Sequence, residues 1–525
     1  GGAGRNDHLG ALAAHRLLRR RPVAIDIDAE FRLAVRFALV SLRFHLRHEI
    51  VALIDRQRTP AEIIQRIDPE LIRHFEWSTR DYRLYPEIEY FVESFDENQY
   101  KTWLAEYRLG LSRKPFSIHV YVPSLESLHH GPCGHTLLAD TSDIITRYFD
   151  DLISEIVLRS KLHADDAKVE QVYCGGGVIE FFDVAHLSAI MDKIKEHFEL
   201  THDCEIMIEI DARAISDLAE LRGLGFNHAI MAVHDFDHDV QLATQCQQTE
   251  KATLDMILKA REVGFGQIRI ELMYGLPMQK VSQFEYTLSK IIAVSPCQIH
   301  LLNYVCESDF GEMKHRINIQ DLPNSEARLQ MIQLAISLLT DAGYIHIGMH
   351  VFARMNNPLV IAQRQGRLHY GIQGYSVFPD CYRIALGVSS IGSVGPTLNQ
   401  NCSNLLEYFS RVERNVLPIM CGIQLSADDL MRRSVIHALI CHQVLSFESV
   451  ETFFPIEFKR YFATELTDLA RYAAAGLVEL SDDEIVVTAM GQLLIDSVCG
   501  VFDKYLRTTR QSNPERIACS APDSL

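Results

Sequence analysis

The chain has 525 residues, of which 47% are hydrophobic and 23% are charged, enough for two or three domains with their own cores. Its formal net charge of -18 argues against a nucleic-acid partner, and no apolar stretch reaches the roughly 18 residues that a membrane span needs. The 12 cysteines lack paired spacing, which favours a reduced, cytoplasmic protein.

Residues 1–80 are predicted to form a helical N-terminal arm. Apolar residues recur at helical spacing from Phe31 to Ile54, and Thr59 followed by Pro60 is typical of the start of another helix. Because such an arm has to cover its apolar face, we expect it to pack on the body of the protein or on a second subunit. The sequence thus raises the hypothesis of a homodimer through this arm.

From residue 116, short apolar runs alternate with helical patterns. The predicted strands are Phe116–Val122, Val169–Cys174, Glu205–Ile210, His228–Val233, Gln267–Met273 and Gln298–Tyr304. The predicted helices are Ile144–Arg159, His186–Phe198, Ala214–Leu224, Glu250–Val263, Val281–Ala293 and 326–343. This alternation indicates βαβ units and a parallel sheet, so the fold class is α/β, with a partial (β/α)6 barrel over residues 81–343. Chemistry in such sheets lies at the carboxyl ends of the strands.

The pattern changes after the barrel. Residues 344–425 are rich in glycine and aromatic residues and are predicted to be an irregular α/β segment that closes the barrel. Residues 426–506 are predicted to form a mostly helical C-terminal domain with a short strand pair near 477–487. The polar residues 507–525 are predicted to be a disordered tail.

Short motifs occur in a fixed order along the chain. They are Val172–Gly177, Ile206–Asp211, Gly225–Asn227, Tyr274–Pro277, Gly348-Met349, Phe352–Arg354, Gln373–Tyr375 and Gly387–Ile391. Together they resemble the oxygen-independent coproporphyrinogen III oxidases of the radical-SAM superfamily. The resemblance extends from about Asp81 to about Leu506, and it implies a radical-SAM-like (β/α)6 barrel.

In that family, a Cys-x3-Cys-x2-Cys loop after the first strand holds a [4Fe–4S] cluster, and the cluster binds S-adenosylmethionine. Register from Pro123 places Leu125, His129 and Pro132 at the three cysteine positions of this chain, and Cys133 lies one residue further on. Leucine and proline side chains have no ligand atom, and a cubane needs three or four protein ligands. The sequence therefore argues against a [4Fe–4S] cluster and against ordinary radical-SAM chemistry, unless a partner donates ligands.

The resemblance also implies which residues face the cofactor. Glu209 matches a glutamate of the family, and Glu271 stands at an aspartate position. His119, His234 and His350 stand where the family has a tyrosine, a glutamine and an aspartate.

A run of three glycines, Gly175, Gly176 and Gly177, follows a predicted strand. Without side chains it lets the backbone approach a ligand, and in the family it meets the methionine end of S-adenosylmethionine. Together with His119 it is predicted to bind the cofactor, and a tight strand-to-loop turn is the alternative interpretation.

Glu209, His234 and Glu271 lie on or just after three successive strands and are the predicted catalytic residues. A buried carboxylate is costly unless it is paired, hydrogen bonded or bound to metal. Histidine between carboxylates is typical of non-haem iron or manganese sites. We therefore predict a transition metal, iron or manganese, on these residues, with His350 and His129 as further ligands. A hydrogen-bond network, or a ribose contact between Glu209 and retained S-adenosylmethionine, is the alternative.

Three functions are compatible with this pattern. The first is an oxidoreductase that has lost radical-SAM chemistry and performs metal-dependent oxidation of a small molecule, with a redox partner. One such substrate is an amino acid in siderophore or other natural-product biosynthesis, including N–N bond formation. The second function is non-catalytic binding of haem, a porphyrin or S-adenosylmethionine. The third is the family's own oxidation of coproporphyrinogen III.

Overall fold

The computed structural model describes residues 80–109, 114–123, 141–163, 168–212, 218–304, 319–378 and 381–512. The predicted N-terminal arm lies outside the described residues except for Arg80, so the dimer hypothesis stays a prediction. No helix of these described ranges has the length and apolar character to cross a membrane.

Six parallel strands form the centre of the protein. They are β1 (Phe116–Val122), β2 (Lys168–Gly176), β3 (Glu199–Ile210), β4 (His228–Val233), β5 (Gln267–Tyr274) and β6 (Gln298–Asn303). Each pairs in parallel with the next in chain order. The prediction of an α/β fold with a partial (β/α)6 barrel is confirmed.

Helices precede, connect and follow these strands. They are α1 (Glu97–Leu109), α2 (Thr141–Ser160), α3 (Val178–Phe181), α4 (Val184–His197), α5 (Leu218–Leu224), α6 (His238–Thr244), α7 (Glu250–Glu262), α8 (Val281–Val294) and α9 (Ser325–Asp341). Side-chain caps fix several starts: Asp183 accepts from a backbone N–H of α4, Thr249 from one of α7 and Asn324 from one of α9. Such caps satisfy donors that have no partner within the helix.

Successive side chains of the parallel strands point to opposite faces of the sheet, one apolar and one polar. On β5, Ile268, Ile270 and Leu272 are at most 1% exposed and belong to the core that includes the helices. Arg269 and Glu271 alternate with them and therefore project from the opposite face. The helices cover the apolar face, and the other face lines the inside of the partial barrel.

Residues 344–425 contain more regular structure than predicted. The strands are β7 (Tyr344–Gly348), β8 (Val351–Arg354), β9 (His369–Gly371), β10 (Gly374–Ser376), β11 (Tyr382–Leu386), β12 (Ile391–Val394), β13 (Thr397–Asn401) and β14 (Ile419–Gln424). Helices α10 (Pro358–Arg364) and α11 (Leu405–Glu413) lie between them. Turns at Gly348, Gly374 and Gly387, all with positive φ, separate strands of three to five residues. In runs this short, apolar and polar residues alternate too few times to predict a strand from the sequence.

These strands extend the central sheet at both edges. The order is β14-β13-β12-β11-β1-β2-β3-β4-β5-β6-β8-β7. Strand β11 runs parallel to β1, with Phe116 opposite Tyr382, and β8 pairs with β6 in the antiparallel sense. Hairpin β9–β10 forms a separate two-stranded sheet.

The C-terminal residues build a second core. Its helices are α12 (Ala427–His442), α13 (Phe447–Phe453), α14 (Phe458–Tyr461), α15 (Ala463–Ala474), α16 (Ile495–Gly500) and α17 (Lys504–Ser512). A three-stranded sheet, β15 (Val444–Ser446), β17 (Glu484–Val487) and β16 (Val478–Leu480), stands where a strand pair was predicted. Helix α17 takes up the first part of the predicted tail, and 513–525 lie outside the described residues.

Candidate functional site

The inside of the partial barrel carries a band of polar side chains, which we call the inner face. Its members alternate with the helix-packed residues of the six parallel strands and are Ser117, His119, Gln171, Tyr173, Glu205, Glu209, His228, Arg269, Glu271 and His300. Polar groups inside a fold need partners, so the pairing of these side chains determines what else the inner face can bind.

Arg269 is the cation at the centre of the inner face. Its Nη2 lies 2.8 Å from Oε1 of Glu271, and Nη1 donates to the carbonyl of Gln373 at 3.5 Å. Its Nε–H is buried and meets no acceptor among the described residues. The positive charge also acts on Glu205 and Glu209, and it opposes the rise in their pKa that burial causes.

The histidines of the inner face are neutral near pH 7. Burial lowers the pKa of His228 to about 4, with a further contribution from the charge of Arg269. Burial also lowers the pKa of His300 well below its usual value, and the charges of Arg269 and Arg83 add to it. The pKa of His119 is likewise well below normal because of burial and the charge of Arg383. A neutral imidazole can donate one hydrogen bond and accept another, but it carries no positive charge that would attract an anion.

Glu209, at the carboxyl end of β3, is held by two neighbours on β2. The Tyr173 hydroxyl hydrogen bonds to Oε1, and the backbone N–H of Gly176 donates to Oε2 at 2.8 Å. Burial raises the pKa of Glu209, and the nearby Glu271 carboxylate raises it further. Both carboxylate oxygens of Glu209 are therefore engaged within the protein.

Gly175 and Gly176 are the last two residues of β2 and Gly177 follows them; Gly175 and Gly177 are buried, whereas Gly176 is exposed. A Cβ atom added at Gly175 would lie 2.3 Å from the Tyr173 hydroxyl oxygen, and one at Gly176 would lie 2.2 Å from the Val122 carbonyl oxygen. Gly176 has φ +75°, and the N–H of Gly177 donates to the same Val122 carbonyl at 2.7 Å. Both the close approach and the left-handed backbone need glycine here.

His234 follows β4 and lies beside a cysteine. Its Nδ1 is 3.3 Å from Sγ of Cys246. The next residue, Asp235, is fully buried and accepts hydrogen bonds from Thr287 at 2.8 Å and from Gln279 at 2.7 Å. The Gln279 Oε1 in turn accepts the N–H of Gly275 at 2.8 Å, so one carboxylate joins the loops that follow β4 and β5.

The other predicted residues are more scattered. His119, on β1, has its ring centroid 5.6 Å from that of Tyr173, and its Nδ1 is 3.5 Å from Nε2 of Gln373. His350 lies in the turn between β7 and β8, with its Nδ1 buried and bonded to no described group. His129 lies outside the described residues.

The predicted metal centre does not form in the described part of the chain, where no group of three or more His, Cys, Asp or Glu is placed to hold a metal ion. Glu271 is paired with Arg269, Glu209 with Tyr173 and Gly176, and His234 with Cys246. The alternative interpretation, a hydrogen-bond network, describes Glu209 and Glu271 in this structure.

Sequence reasoning missed three residues of the site. Tyr173 covers Gly175, Arg269 pairs with Glu271, and Gln373 contacts His119 and Arg269. Arg269 could have been found, since Arg269 and Glu271 alternate with the apolar residues Ile268, Ile270 and Leu272. The contacts of Gln373 depend on how hairpin β9–β10 packs against the barrel, and no local pattern predicts that.

Known proteins resemble this chain over most of its length. Residues 425–494 match the family model of the HemN C-terminal domain. Oxygen-independent coproporphyrinogen III oxidases of Salmonella typhimurium and Escherichia coli are 36% and 35% identical to the chain. The alignments cover 84% and 85% of the chain and 96% and 97% of those proteins. The solved structure of the coproporphyrinogen III oxidase HemN from Escherichia coli, described as a radical SAM enzyme, matches with a TM-score of 0.76 at 35% identity, over 81% of this chain and 98% of that one.

These similarities correct the cofactor prediction. The sequence argued against a [4Fe–4S] cluster and for iron or manganese on Glu209, His234 and Glu271. That prediction is wrong, because the solved structure with this fold, 35% identical and covered almost completely, is that of a radical SAM enzyme. The motif spacing after Pro123, on which the prediction depended, falls in residues 124–140, outside the described ranges.

Proposed function

Because the chain belongs to the family of oxygen-independent coproporphyrinogen III oxidases, we propose that it binds S-adenosylmethionine at the inner face and oxidises coproporphyrinogen III. The observation that carries this proposal is the extent of the similarity: the chain aligns with 96% of the Salmonella typhimurium relative at 36% identity. The alignment includes the barrel, and residues 425–494 match the C-terminal domain of the family as well.

The inner face has the chemistry that S-adenosylmethionine requires. The Glu209 carboxylate can accept from ammonium or hydroxyl groups, and the Gly176 N–H can donate to a carboxylate, once the hydrogen bond that joins these two groups in this structure opens. We propose that these two residues, with Gly175, Gly177 and His119, contact the cofactor. When bound, S-adenosylmethionine and its cluster supply the one-electron chemistry that starts the oxidation.

Two arginine side chains favour a substrate that carries carboxylate groups. The Nε–H of Arg269 is buried and meets no acceptor among the described residues. The Arg83 side chain is 36% exposed and has its Nε 2.9 Å from Oδ2 of Asp81. The charge of Glu271 acts on Arg83 as well, so Arg83 and Arg269 border the same acidic group. Guanidinium groups bind carboxylates through paired N–H donors, and coproporphyrinogen III carries carboxylates. We propose that these arginines orient the substrate.

The test is anaerobic reconstitution with iron and sulfide, followed by incubation with reductant, S-adenosylmethionine and coproporphyrinogen III. Residues 124–140 contain one cysteine, Cys133, so iron and acid-labile sulfide are measured first. We expect protoporphyrin fluorescence after oxidation of the product, and we expect a raised KM in Arg83→Gln. Lys459→Ala, which removes an exposed ion pair with Asp482, is the control. A reconstituted cluster without product would contradict the proposal.

A second candidate function is binding without turnover. This alternative predicts that the reconstituted protein binds S-adenosylmethionine or coproporphyrin III in equilibrium dialysis but forms no product. A redox partner, and a homodimer through the N-terminal arm, belong to the proposal as well, and light scattering of the full chain tests the dimer.

A further inference from the structure

The ring of Tyr173 lies on the backbone of Gly175. The position of a Cβ at Gly175 would be 2.3 Å from the Tyr173 hydroxyl oxygen and 2.4 Å from the ring carbon that carries it. Contacts this short do not occur between real side chains, so the ring takes up the space that the absence of a side chain opens at Gly175. The surface that Gly175 would offer to a ligand is covered by a side chain of the same strand, whereas Gly176 next to it is exposed.

The same tyrosine engages Glu209. Its hydroxyl bonds to one oxygen of the carboxylate, while the N–H of Gly176 donates to the other at 2.8 Å. The donor on Gly176 and the acceptor on Glu209, which a ligand with both an ammonium and a carboxylate group would need, are thus bonded to each other. Leaving the Glu209 carboxylate, whose pKa burial raises, without a hydrogen bond is costly, so this arrangement is stable without a ligand.

We infer that Tyr173 sets the affinity of the site for S-adenosylmethionine by closing it: the ring has to leave Gly175, and its hydroxyl has to leave Glu209, before the cofactor binds. This inference rests on the proposed function. Tyr173 thus controls access to the cofactor site. Its part in the reaction is confined to this opening step.

The energetic consequence is a weaker apparent affinity. When only a fraction of molecules is open, the apparent dissociation constant equals the intrinsic constant divided by that fraction. Removal of the hydroxyl abolishes one hydrogen bond of the closed state, and removal of the ring also uncovers Gly175. We expect Tyr173→Phe to bind S-adenosylmethionine about fivefold more tightly than the wild type, and Tyr173→Ala about tenfold or more.

The experiment is titration calorimetry with S-adenosylmethionine on the full chain, reconstituted anaerobically with iron and sulfide as in the test of the proposed function. The control is Tyr286→Phe, because Tyr286 is 50% exposed and its hydroxyl donates to a different glutamate, Glu250, at 2.9 Å. We expect affinity to rise in the order wild type, Tyr173→Phe, Tyr173→Ala, with Tyr286→Phe equal to the wild type. General damage to the fold weakens binding, so a gain in affinity distinguishes closure of the site from a purely structural role.

Each result is decisive. Equal or weaker binding by Tyr173→Phe overturns the inference and leaves the proposed function standing. Absence of binding in all four proteins overturns the proposed function and the inference with it. If Tyr173→Ala does not fold, Tyr173→Phe carries the comparison alone, since it keeps the ring volume. Hydrogen exchange of residues 175–177 is a second measurement: faster exchange in Tyr173→Phe than in the wild type supports closure, and unchanged exchange contradicts it.

Discussion

Arg269 and Glu271 project from the same face of β5 and form an ion pair, with 2.8 Å between Nη2 and Oε1. The side chains are 13% and 18% exposed, so water screens the two charges only in part. Strand β5, which carries the pair, lies between β4 with His228 and β6 with His300, and the charge of Arg269 lowers the pKa of both histidines.

The first prediction concerns this pair. In Arg269→Gln, the Glu271 carboxylate stays inside the barrel without its cation. Loss of one partner of a buried pair costs about 3–5 kcal/mol, and because these side chains are partly exposed we expect about 2 kcal/mol. Urea unfolding measures the change. Adding Glu271→Gln to Arg269→Gln is expected to recover part of the lost free energy of unfolding. If the loss in the double variant equals the sum of the losses in the two single variants, the two residues are not coupled.

The second prediction concerns Glu155, on α2, which is fully buried. Its two carboxylate oxygens accept from Arg159, Asn401, Gly387 and Tyr408 at 2.8–3.0 Å. In Glu155→Gln, the new side-chain NH2 would face groups that are themselves hydrogen-bond donors. Arg159 would also lose the negative charge with which it pairs. We expect a loss of about 3–5 kcal/mol in the free energy of unfolding.

The control for Glu155 is the same acid-to-amide change at Asp482. This residue is fully exposed and pairs with Lys459 at 2.7 Å. Because exposed ion pairs contribute little, Asp482→Asn is expected to leave the free energy of unfolding nearly unchanged. Similar losses in the two variants would mean that the buried network adds nothing beyond an ordinary surface pair.

The third prediction is a pH dependence from His228. The pKa of His228 is about 4 in the folded protein, lowered first by burial and then by Arg269, against about 6.5 in the unfolded chain. Below pH 6.5 the unfolded state takes up a proton that the folded state does not. The stability from this group is therefore present above pH 6.5 and is lost as the pH falls toward 4, at up to about 1.4 kcal/mol per pH unit.

His228→Asn removes this titration and keeps a side-chain N–H next to Asn227, whose Oδ1 is 2.6 Å from Nδ1 of the histidine. Urea unfolding between pH 7.5 and pH 4.5 is expected to give a flatter stability profile for the variant than for the wild type. The control is His202→Asn, because the His202 side chain is 99% exposed. Parallel profiles for the wild type and His228→Asn would contradict the prediction.

The fourth prediction compares two glycines with left-handed backbone. Gly176 has φ +75°, and a Cβ there would lie 2.2 Å from the backbone carbonyl oxygen of Val122. Gly343 has φ +83°, and a Cβ there would meet nothing within 4 Å. Gly343→Ala thus measures backbone strain alone, at about 1 kcal/mol, whereas Gly176→Ala adds a collision with backbone and is expected to cost more than about 3 kcal/mol. Equal costs would show that β1 moves aside freely.

The sequence predicted the barrel well because its strands and helices carry strong local patterns. The bounds of β4 match the prediction, and α7 and α8 each match within one residue. The start of β3 was missed by six residues, since four of the six residues in Glu199–Cys204 are polar and three are exposed. Exposed strand residues carry no alternation that distinguishes them from a loop.

The site was predicted less completely, for a different physical reason. Glu209 and the glycine run were found from motifs, but their contact through Tyr173 depends on the register between β2 and β3, where Tyr173 stands opposite Met207. The metal hypothesis treated Glu209, His234 and Glu271 as neighbours because they follow consecutive strands. It did not include Arg269 and Cys246, the side chains that pair with two of them.

The parallel pairing of β1 with β11 has a consequence for the order of events during synthesis. Phe116 stands opposite Tyr382, so the chain has to grow by roughly 270 residues before β1 gains its second neighbour. At typical translation rates this takes roughly 10 to 50 seconds, during which β1 offers an open row of backbone donors and acceptors. A nascent chain stopped before β11 is therefore expected to need a chaperone, whereas one that has passed Leu386 can cover this edge by itself.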